Sequence, residues 1–400
     1  MAPPFRADHI GSLLRPQSLL EARSDLSSPS QMYTLDIPQS VKDAEAKAIR
    51  EVVQIQLQKE IRPITDGEYA RQIYYGGFFE RLSGFEAKPD LPIPDAFRTD
   101  FPTTSGLAKM GATTRAAVIC TGKIGYKQSP YLSEWLTLRD SLPRHLWGDA
   151  KFTIPTPNYQ HIQLKPGTAW IEASGYTSDE EYFRDLAKCY AAELRTLYDA
   201  GLRNIQVDDP HLTYFCSSQF LEGCEKDGVD TDALLDLYTR THNQLLADKP
   251  AGLHVGMHLC RGNMSGSTHW VSGSYEKIAY KLFNETNYET YYLEFDDVSR
   301  AGGFEPLRFL LRGKNVVLGL VSTKTPALEE AGALRAQIAA AAAVVARAQG
   351  VPDAEALGCL ALSPQCGFSS LSVAGGKGVT PQRMWEKLQL VRDVARQVWT

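Results

Sequence analysis

Residues 178–210 read SDEEYFRDLAKCYAAELRTLYDAGLRNIQVDDP, and this stretch decides the fold. It opens with Ser178 and three acidic residues, the pattern of a helix N-cap and first turn. It closes with Asn204–Asp209, a short β-rich run that ends in two carboxylates. A long helix followed directly by a short strand is the repeating unit of an α/β protein with a parallel sheet.

The same alternation of short β-rich runs and long helical segments continues on both sides of this unit. The predicted strands are His9–Ser12, Pro63–Asp66, Lys151–Pro155, Asn204–Asp209, His254–Cys260, Tyr291–Phe295, Val316–Val321 and Cys359–Ser363. The predicted helices are Val41–Lys59, Ser178–Ala200, Asp230–Asp248, Ser274–Phe283, Pro326–Gln349 and Pro381–Thr400. This order predicts an α/β fold, a single (β/α)₈ TIM barrel. A doubly wound open sheet is the alternative, but no glycine-rich dinucleotide loop follows the first strand.

One segment exceeds what a minimal barrel needs. Glu86–Ala150 begins rich in Pro and Gly, then contains the alternating segment Arg115–Ile124 and a helix around Leu132–Leu142. We expect an inserted hairpin and helix excursion between strands 2 and 3, folded over the barrel mouth. Since no linker, repeat or low-complexity region divides the chain, residues 1–400 are predicted to form a single domain.

Composition limits the partners and the compartment. The 42 basic and 47 acidic residues give a net charge of −5, so we expect neither nucleic acid nor an anionic membrane as a partner. The apolar run Ile338–Ala346 is short and Ala-rich, which suits a packed helix better than a membrane span. Met1–Asp8 lacks a hydrophobic signal core, and the seven cysteines form no CxxC pair. A cytoplasmic protein with free thiols is therefore expected, while the oligomeric state stays open.

Candidate metal ligands follow three of the predicted strands, where barrel chemistry collects. His258 and Cys260 lie two residues apart on one strand, so both side chains point to the same side. Glu294 ends the next strand, and Cys366 follows the last. One imidazole, two thiolates and one carboxylate suit tetrahedral Zn²⁺. The spacing leaves an alternative open, since a His-x-Cys pair arises by chance and a cysteine is often only a small buried residue.

This ligand set favours one kind of chemistry. Its charges sum to about −1 with Zn²⁺, which makes a poor activator of water. An incoming thiol can displace the carboxylate, and zinc keeps that thiol as a nucleophilic thiolate at neutral pH. The residues therefore predict S-alkylation of a thiol in preference to hydrolysis.

Five motifs then carry a resemblance to a known family: FRADHIGSLLRP (residues 5–16), ITDGE (64–68), QVDDP (206–210), HLC (258–260) and SPQCG (363–367). In this order they resemble the catalytic barrel of cobalamin-independent methionine synthase, from about residue 5 to the C-terminus. The family's second, N-terminal barrel is absent, so the chain is closer to the short single-barrel members. The resemblance implies zinc on His258, Cys260, Glu294 and Cys366.

The resemblance also implies how homocysteine is held. Ile10, Gly11 and Ser12 would meet its carboxylate, and Glu68 and Asp208 would meet its ammonium group. Two carboxylates at a barrel mouth are unfavourable unless a cation joins them. The alternative cation is a protein group such as Arg71.

Other polar residues are assigned to the second substrate. Arg15 and Lys123 lie on predicted mouth loops and are expected to meet an anionic tail. Lys324 stands where the family has groups that assist protonation of the leaving group, so Lys324 and Asp208 are the predicted catalytic residues. The alternative for Lys324 is a solvated surface lysine. No Trp occupies the position where the family stacks its pteridine, which leaves the donor undefined.

We therefore predict a zinc-dependent S-methyltransferase of methionine biosynthesis, with 5-methyltetrahydropteroyltriglutamate–homocysteine methyltransferase-like activity. Its partners are a small-molecule thiol, homocysteine or a close analogue, and a folate-type or other alkyl donor. The chain also resembles epoxyalkane:coenzyme M transferase, so an epoxide is the alternative electrophile. A catalytically silent thiol- or zinc-binding homologue is the remaining alternative.

Overall fold

A computed structural model describes residues 2–26, 31, 33–262, 269–371 and 377–399. Its strands are β1 (Ser83–Pro92), β2 (Thr114–Gly125), β3 (Phe152–Pro155), β4 (Asn204–Asp208), β5 (His254–Leu259), β6 (Thr290–Glu294), β7 (Asn315–Val321) and β8 (Leu360–Pro364). The α-helices of the described residues are α1 (Gln17–Ala22), α2 (Gln39–Gln58), α3 (Ile93–Ala96), α4 (Pro102–Lys109), α5 (Leu132–Asp140), α6 (Tyr159–Gln163), α7 (Asp179–Asp199), α8 (Ser218–Lys226), α9 (Thr231–Leu246), α10 (Glu276–Glu285), α11 (Val298–Ala301), α12 (Ala331–Gln349), α13 (Asp353–Leu357) and α14 (Pro381–Val398).

The central sheet has six parallel strands in the order β3-β4-β5-β6-β7-β8. All six were predicted, and their boundaries agree closely with the sequence pattern. Every residue of β4, β6, β7 and β8 is buried, as expected for a parallel sheet covered on both faces. The mixed α/β fold with a parallel sheet is therefore confirmed.

The first two predicted strands are not regular strands among the described residues. Near His9–Ser12, Ala7 forms a single parallel bridge with Leu362. Within Pro63–Asp66, Ile64 forms a single parallel bridge with Ala150. Gly11 leaves the extended region at a φ of 123°, and Pro63 has no N–H to donate to a ladder. Eight regular strands were therefore the wrong expectation, and closure into an eight-stranded barrel is not confirmed.

The predicted helices are present, and the cap predicted at Ser178 is among the observed ones. The Ser178 hydroxyl accepts a hydrogen bond from the Glu181 N–H at 3.3 Å and caps α7. Asp230 caps α9 through the N–H groups of Asp232 and Ala233. The last predicted helix ends at Val398, and Thr400 lies outside the described residues.

Helix α12 is long and apolar enough to cross a membrane by length and composition alone. Leu334, Ile338, Ala341 and Val345 are buried inside the protein, so one face of this helix packs as a core helix does. This packing agrees with the expectation from Ile338–Ala346.

The predicted excursion is a hairpin followed by helices. β1 and β2 pair antiparallel, with Phe85 opposite Cys120. Helices α3 and α4 lie in the connection between the two strands, and α5 follows β2. The hairpin begins at Ser83, slightly before the predicted start of the excursion, and precedes β3 as expected.

Candidate metal centre and adjoining cavity

Four candidate ligands converge at the C-terminal edge of the parallel sheet. His258 lies near the end of β5, Cys260 directly follows that strand, Glu294 ends β6, and Cys366 lies just beyond β8. One ligand atom from each residue lies within 4.8 Å of the ligand atoms of the other three. The structure thus brings together the four residues that the sequence analysis selected.

The histidine is oriented for a ligand. His258 Nδ1 lies 3.2 Å from the Tyr292 carbonyl oxygen, to which it can donate. This bond selects the tautomer that leaves a lone pair on Nε2. Nε2 is buried and has no hydrogen-bond partner among the described residues. A buried, unpartnered nitrogen is uncommon, and a bound cation would satisfy it.

The two sulfurs lie within hydrogen-bond distance of each other. Cys260 Sγ lies 3.3 Å from Cys366 Sγ. The hydrogen bond from Cys366 holds the pKa of Cys260 well below its usual value, and the same interaction raises the pKa of Cys366. The Gly262 N–H also donates to Cys260 Sγ at 3.2 Å. One thiolate is therefore already stabilised at this position.

The carboxylate is fixed on both oxygens. The Arg261 N–H donates to Glu294 Oε1 at 2.9 Å, and Arg300 Nη1 donates to Oε2 at 3.0 Å. Burial and the charge of Cys260 raise the pKa of Glu294 to about 8, although Lys324 and Arg300 oppose this. Crowded negative groups in a buried site favour a cation. Nitrogen, sulfur and carboxylate donors in this number fit Zn²⁺.

A cavity of about 310 Å³ borders the metal cluster. It is large enough for a small organic substrate. The predicted site residues on its surface are Ile10, Ser12, Glu68, Asp208, His258, Cys260 and Cys366.

Glu68 presents an unsatisfied carboxylate oxygen at this cavity. Thr153 Oγ1 donates to Glu68 Oε1 at 2.8 Å, whereas Oε2 is buried without a hydrogen-bond partner among the described residues. Burial raises the pKa of Glu68 to about 8; Arg71 opposes the shift and Asp208 adds to it. Burial likewise raises the pKa of Asp208 to about 6. The two carboxyls form an acidic pair that a bound cation would stabilise.

Arg71, the alternative cation for the acidic pair, pairs with a different carboxylate. It forms an ion pair with Glu134 at 2.9 Å, and it stacks over the Tyr131 ring at 4.1 Å. Among the described residues no ion pair of 4 Å or less joins Arg71 to Glu68 or Asp208. The structure therefore does not contain the alternative ion pair of Arg71 with Glu68 or Asp208.

A buried network of hydrogen-bonded polar side chains leads to Asp208 of the acidic pair. Lys151 Nζ donates to Asp8 Oδ1 at 2.6 Å and to Gln206 Oε1 at 2.7 Å. Gln206 Nε2 in turn donates to Asp208 Oδ1 and to the Ile10 carbonyl, both at 2.7 Å. All of these side chains are almost fully buried, so this chain fixes the orientation of Asp208.

Several predicted residues lie beside the cavity surface and not on it. Gly11 supports the site through its backbone, because a Cβ there would lie 2.7 Å from Thr153 Cγ2. Arg15 is buried and donates to the carbonyls of Glu68, Arg71, Ser369 and Leu371.

The two predicted lysines differ from each other. Lys123 is exposed on the hairpin, donates to the Gly175 carbonyl at 3.0 Å and stacks on Tyr176. Lys324 is buried, and its Nζ donates to the carbonyl of Gly262, two residues after Cys260. Substrate contacts by Arg15 and Lys123, and catalysis by Lys324, stay predictions.

The sequence analysis missed one side of the cavity. Arg115, Trp270, Tyr159, His211 and Tyr214 line it, together with Tyr74 and Tyr75. Only the aromatic run Tyr74–Phe79 on this side was a candidate from the sequence, as a wall of the donor pocket with plain core packing as the alternative. Arg115 and Trp270 carried no signal, because they come from the insertion and from a loop far away in the chain.

No protein-family model matches the chain, but relatives and solved structures do. The Bacillus subtilis (strain 168) uncharacterized protein YxjH is 33% identical over 99% of this chain and 95% of its own length. YxjG from the same organism is 34% identical with the same coverage.

Two solved structures share the fold. A candidate vitamin-B12-independent methionine synthase from Listeria monocytogenes is 26% identical, with a TM-score of 0.70 over 100% of this chain and 99% of that chain. A B12-independent methionine synthase from Shewanella sp. W3-18-1, solved with selenomethionine, is 19% identical, with a TM-score of 0.65 over 98% and 97%.

Proposed function

The chain belongs to the cobalamin-independent methionine synthase family, and from this premise we propose that it is a zinc-dependent S-methyltransferase. Its substrate would be homocysteine or a close analogue, methylated by a folate-type or other donor. The observation that carries the proposal is the convergence of four ligand atoms within 4.8 Å at the edge of a substrate-sized cavity.

His258, Cys260, Glu294 and Cys366 would hold the metal ion. The unpartnered His258 Nε2 and the paired sulfurs support this fit. When bound, zinc would supply the positive charge that lowers the pKa of a substrate thiol and keeps its sulfur nucleophilic.

The acidic pair would bind the ammonium group of the amino acid. Glu68 Oε2 is a buried acceptor with no protein partner, and Asp208 is held in place by Gln206. An ammonium group would donate to both carboxylates and remove the cost of burying them. Ser12 and the backbone beside Ile10 are the groups left to orient the substrate carboxylate.

Methyl transfer then requires alignment more than acid–base chemistry. The sulfur attacks the methyl carbon from the side opposite the donor atom, and the breaking bond leaves its electron pair on the donor. Lys324 is the proposed source of a proton for that leaving group. Its ammonium lies behind the Cys260 loop, where it donates to Gly262.

We also propose that the sheet closes into a barrel and that the chain forms a single domain. The segments at Ala7 and Ile64 would complete an eight-stranded barrel, supported by their single bridges and by the Leu13 N–H to Gly67 carbonyl bond at 3.1 Å. The whole chain would form one domain in the cytoplasm. A crystal structure with an open sheet edge at β3 or β8 would contradict the barrel.

The direct test is product analysis on the zinc-loaded protein. Homocysteine is supplied with 5-methyltetrahydrofolate, and separately with methyl iodide, which needs no donor site. Zinc-dependent methionine formation is expected, with zinc-stripped protein as the control. A hydroxyalkyl thioether formed from an epoxide, without methionine from any methyl donor, would support the alternative electrophile instead.

A further inference from the structure

The residues that line the cavity fall into two chemically different groups. One group contains the candidate metal ligands and the carboxyls of Glu68 and Asp208. The other group, which we call the aromatic compartment, is Tyr74, Tyr75, Tyr159, Tyr214, Trp270 and Arg115. Nothing in the proposed handling of homocysteine uses this compartment.

The inserted segment builds much of its wall. Trp270 fits between Gly106 on α4 and Gly262, which follows Cys260 by two residues. A Cβ on Gly106 would lie 1.9 Å from Trp270 Cζ3, and a Cβ on Gly262 would lie 2.4 Å from Trp270 Cδ1. Only glycine at both positions lets the indole close the compartment against the metal-ligand loop.

Arg115 places a cation in this apolar setting. Its Nη1 donates to Thr104 Oγ1 at 2.6 Å, and its guanidinium lies 5.4 Å from the centre of the Phe97 ring. Among the described residues it has no carboxylate partner within 4 Å, unlike Arg71 and Arg300 in the same protein. A half-buried guanidinium with spare donors is a binding group for an anion.

His211 supports the same assignment. Its Nδ1 is buried with no hydrogen-bond partner among the described residues, and its ring packs 4.6 Å from the Tyr159 ring. Burial lowers the pKa of His211 to about 3; Asp209 opposes this shift, and Arg115 adds to it. The imidazole of His211 is therefore neutral, and Arg115 is the cation of the aromatic compartment.

Resting on the proposed function, we propose that the aromatic compartment binds the alkyl donor as a compact aromatic or apolar molecule with one carboxylate, which pairs with Arg115. The opposite charges of the acidic pair and of Arg115 would then orient the substrates. The acidic pair attracts an ammonium group and repels a carboxylate, whereas Arg115 does the reverse. Each substrate would bind in one orientation, with the ammonium group of the thiol at the acidic pair and the carboxylate of the donor at Arg115.

The test is equilibrium binding to the zinc-loaded, full-length protein saturated with homocysteine. The probes are 4-methoxybenzoate and its neutral analogue 4-methoxybenzamide, measured by isothermal titration calorimetry. We expect the carboxylate to bind about tenfold more tightly, or better, since a charged hydrogen bond contributes that much. Arg115→Met should reduce the ratio to about one, and Arg115→Lys should keep most of it. Lys109→Met, on the exposed end of α4, should leave it unchanged.

Equal affinity for the two probes, no binding of either, or an unchanged ratio in Arg115→Met would overturn the inference. Homocysteine methylation by methyl iodide separates this failure from that of the proposed function. This reaction needs thiol activation but no bound donor, so the wild-type protein and the Lys109→Met control should both show it in a zinc-dependent form. If the probes discriminate but methyl iodide gives no zinc-dependent reaction, the proposed function fails and the binding site stands.

Discussion

Cys260 Sγ lies 3.3 Å from Cys366 Sγ, although 106 positions of the chain separate the two residues. This spacing is longer than a disulfide bond of about 2.05 Å, so both sulfurs are free to bind one ion. β5 and β8 bring them to the same edge of the sheet. The proposed chemistry depends on this pair more than on any other contact.

Removing one of these sulfurs should remove the metal. Cys366→Ser and Cys260→Ser are each expected to lower zinc from about one ion per chain to a small fraction, because a hydroxyl is a poor zinc ligand. Metal content after dialysis measures this. Cys359→Ser is the matched control, since Cys359 Sγ donates to the Ala356 carbonyl and does not belong to the cluster of candidate ligands. Full zinc in both ligand variants would refute the assignment of these sulfurs.

The acidic pair should recognise the substrate ammonium group. Glu68→Gln is expected to lower kcat/KM for homocysteine by roughly 10- to 100-fold, because a charged hydrogen bond is lost. The control substrate is 4-mercaptobutyrate, the same thiol acid without the amino group. Wild-type protein should prefer homocysteine strongly, and the variant should lose most of this preference. A preserved preference would show that the ammonium binds elsewhere.

The Glu68 carboxyl should lower the free energy of unfolding at alkaline pH. The pKa of Glu68 is raised to about 8 from an ordinary value of 4.5. Its contribution to the free energy of unfolding is therefore fully present below pH 4.5 and is lost as the pH rises toward 8. Without substrate, Glu68→Gln should be more stable than wild type at pH 8 by about 2 kcal/mol, and the gap should shrink near pH 5.

Urea unfolding at the two pH values measures that difference. Glu51→Gln serves as the control, since this glutamate is exposed on α2 and its change should have no pH-dependent effect. A Glu68→Gln variant that is less stable at pH 8 than at pH 5, relative to wild type, would contradict the sign.

Lys151 should stabilise the protein and orient the site together. Lys151→Met leaves the buried Asp8 carboxylate unpaired, which costs about 3–5 kcal/mol. Asp8→Asn combined with Lys151→Met should recover part of this loss. Lys188→Met removes an exposed partner of Asp185 and should cost about 0.5 kcal/mol or less. Equal losses from Lys151→Met and Lys188→Met in urea unfolding would argue against a central role for Lys151.

The clustering of the four candidate metal ligands was predictable from sequence because strand geometry is regular. His258 and Cys260 are two residues apart at the end of β5, Glu294 ends β6, and Cys366 lies just beyond β8. Parallel strands align these ends without further information. The six central strands were found for the same reason, since their buried β-rich runs alternate with capped helices.

Other parts depend on tertiary contacts that leave no local pattern. Gly11 and Pro63 interrupt the first two expected strands through backbone conformation and a missing donor. Arg15 points into a set of carbonyls, although its position suggested a substrate contact. Trp270 packs against Gly106 of α4 from a distant part of the chain, and neither residue indicates the other in the sequence.

Zinc K-edge X-ray absorption of the purified protein, with and without homocysteine, tests the central claim most directly. The free protein should show zinc with two sulfur ligands, from Cys260 and Cys366, and lighter nitrogen or oxygen ligands from His258 and Glu294. Homocysteine should add one sulfur to that shell. Bound zinc whose sulfur count does not change with homocysteine, or a protein that binds no zinc, would contradict the claim that this site activates a thiol.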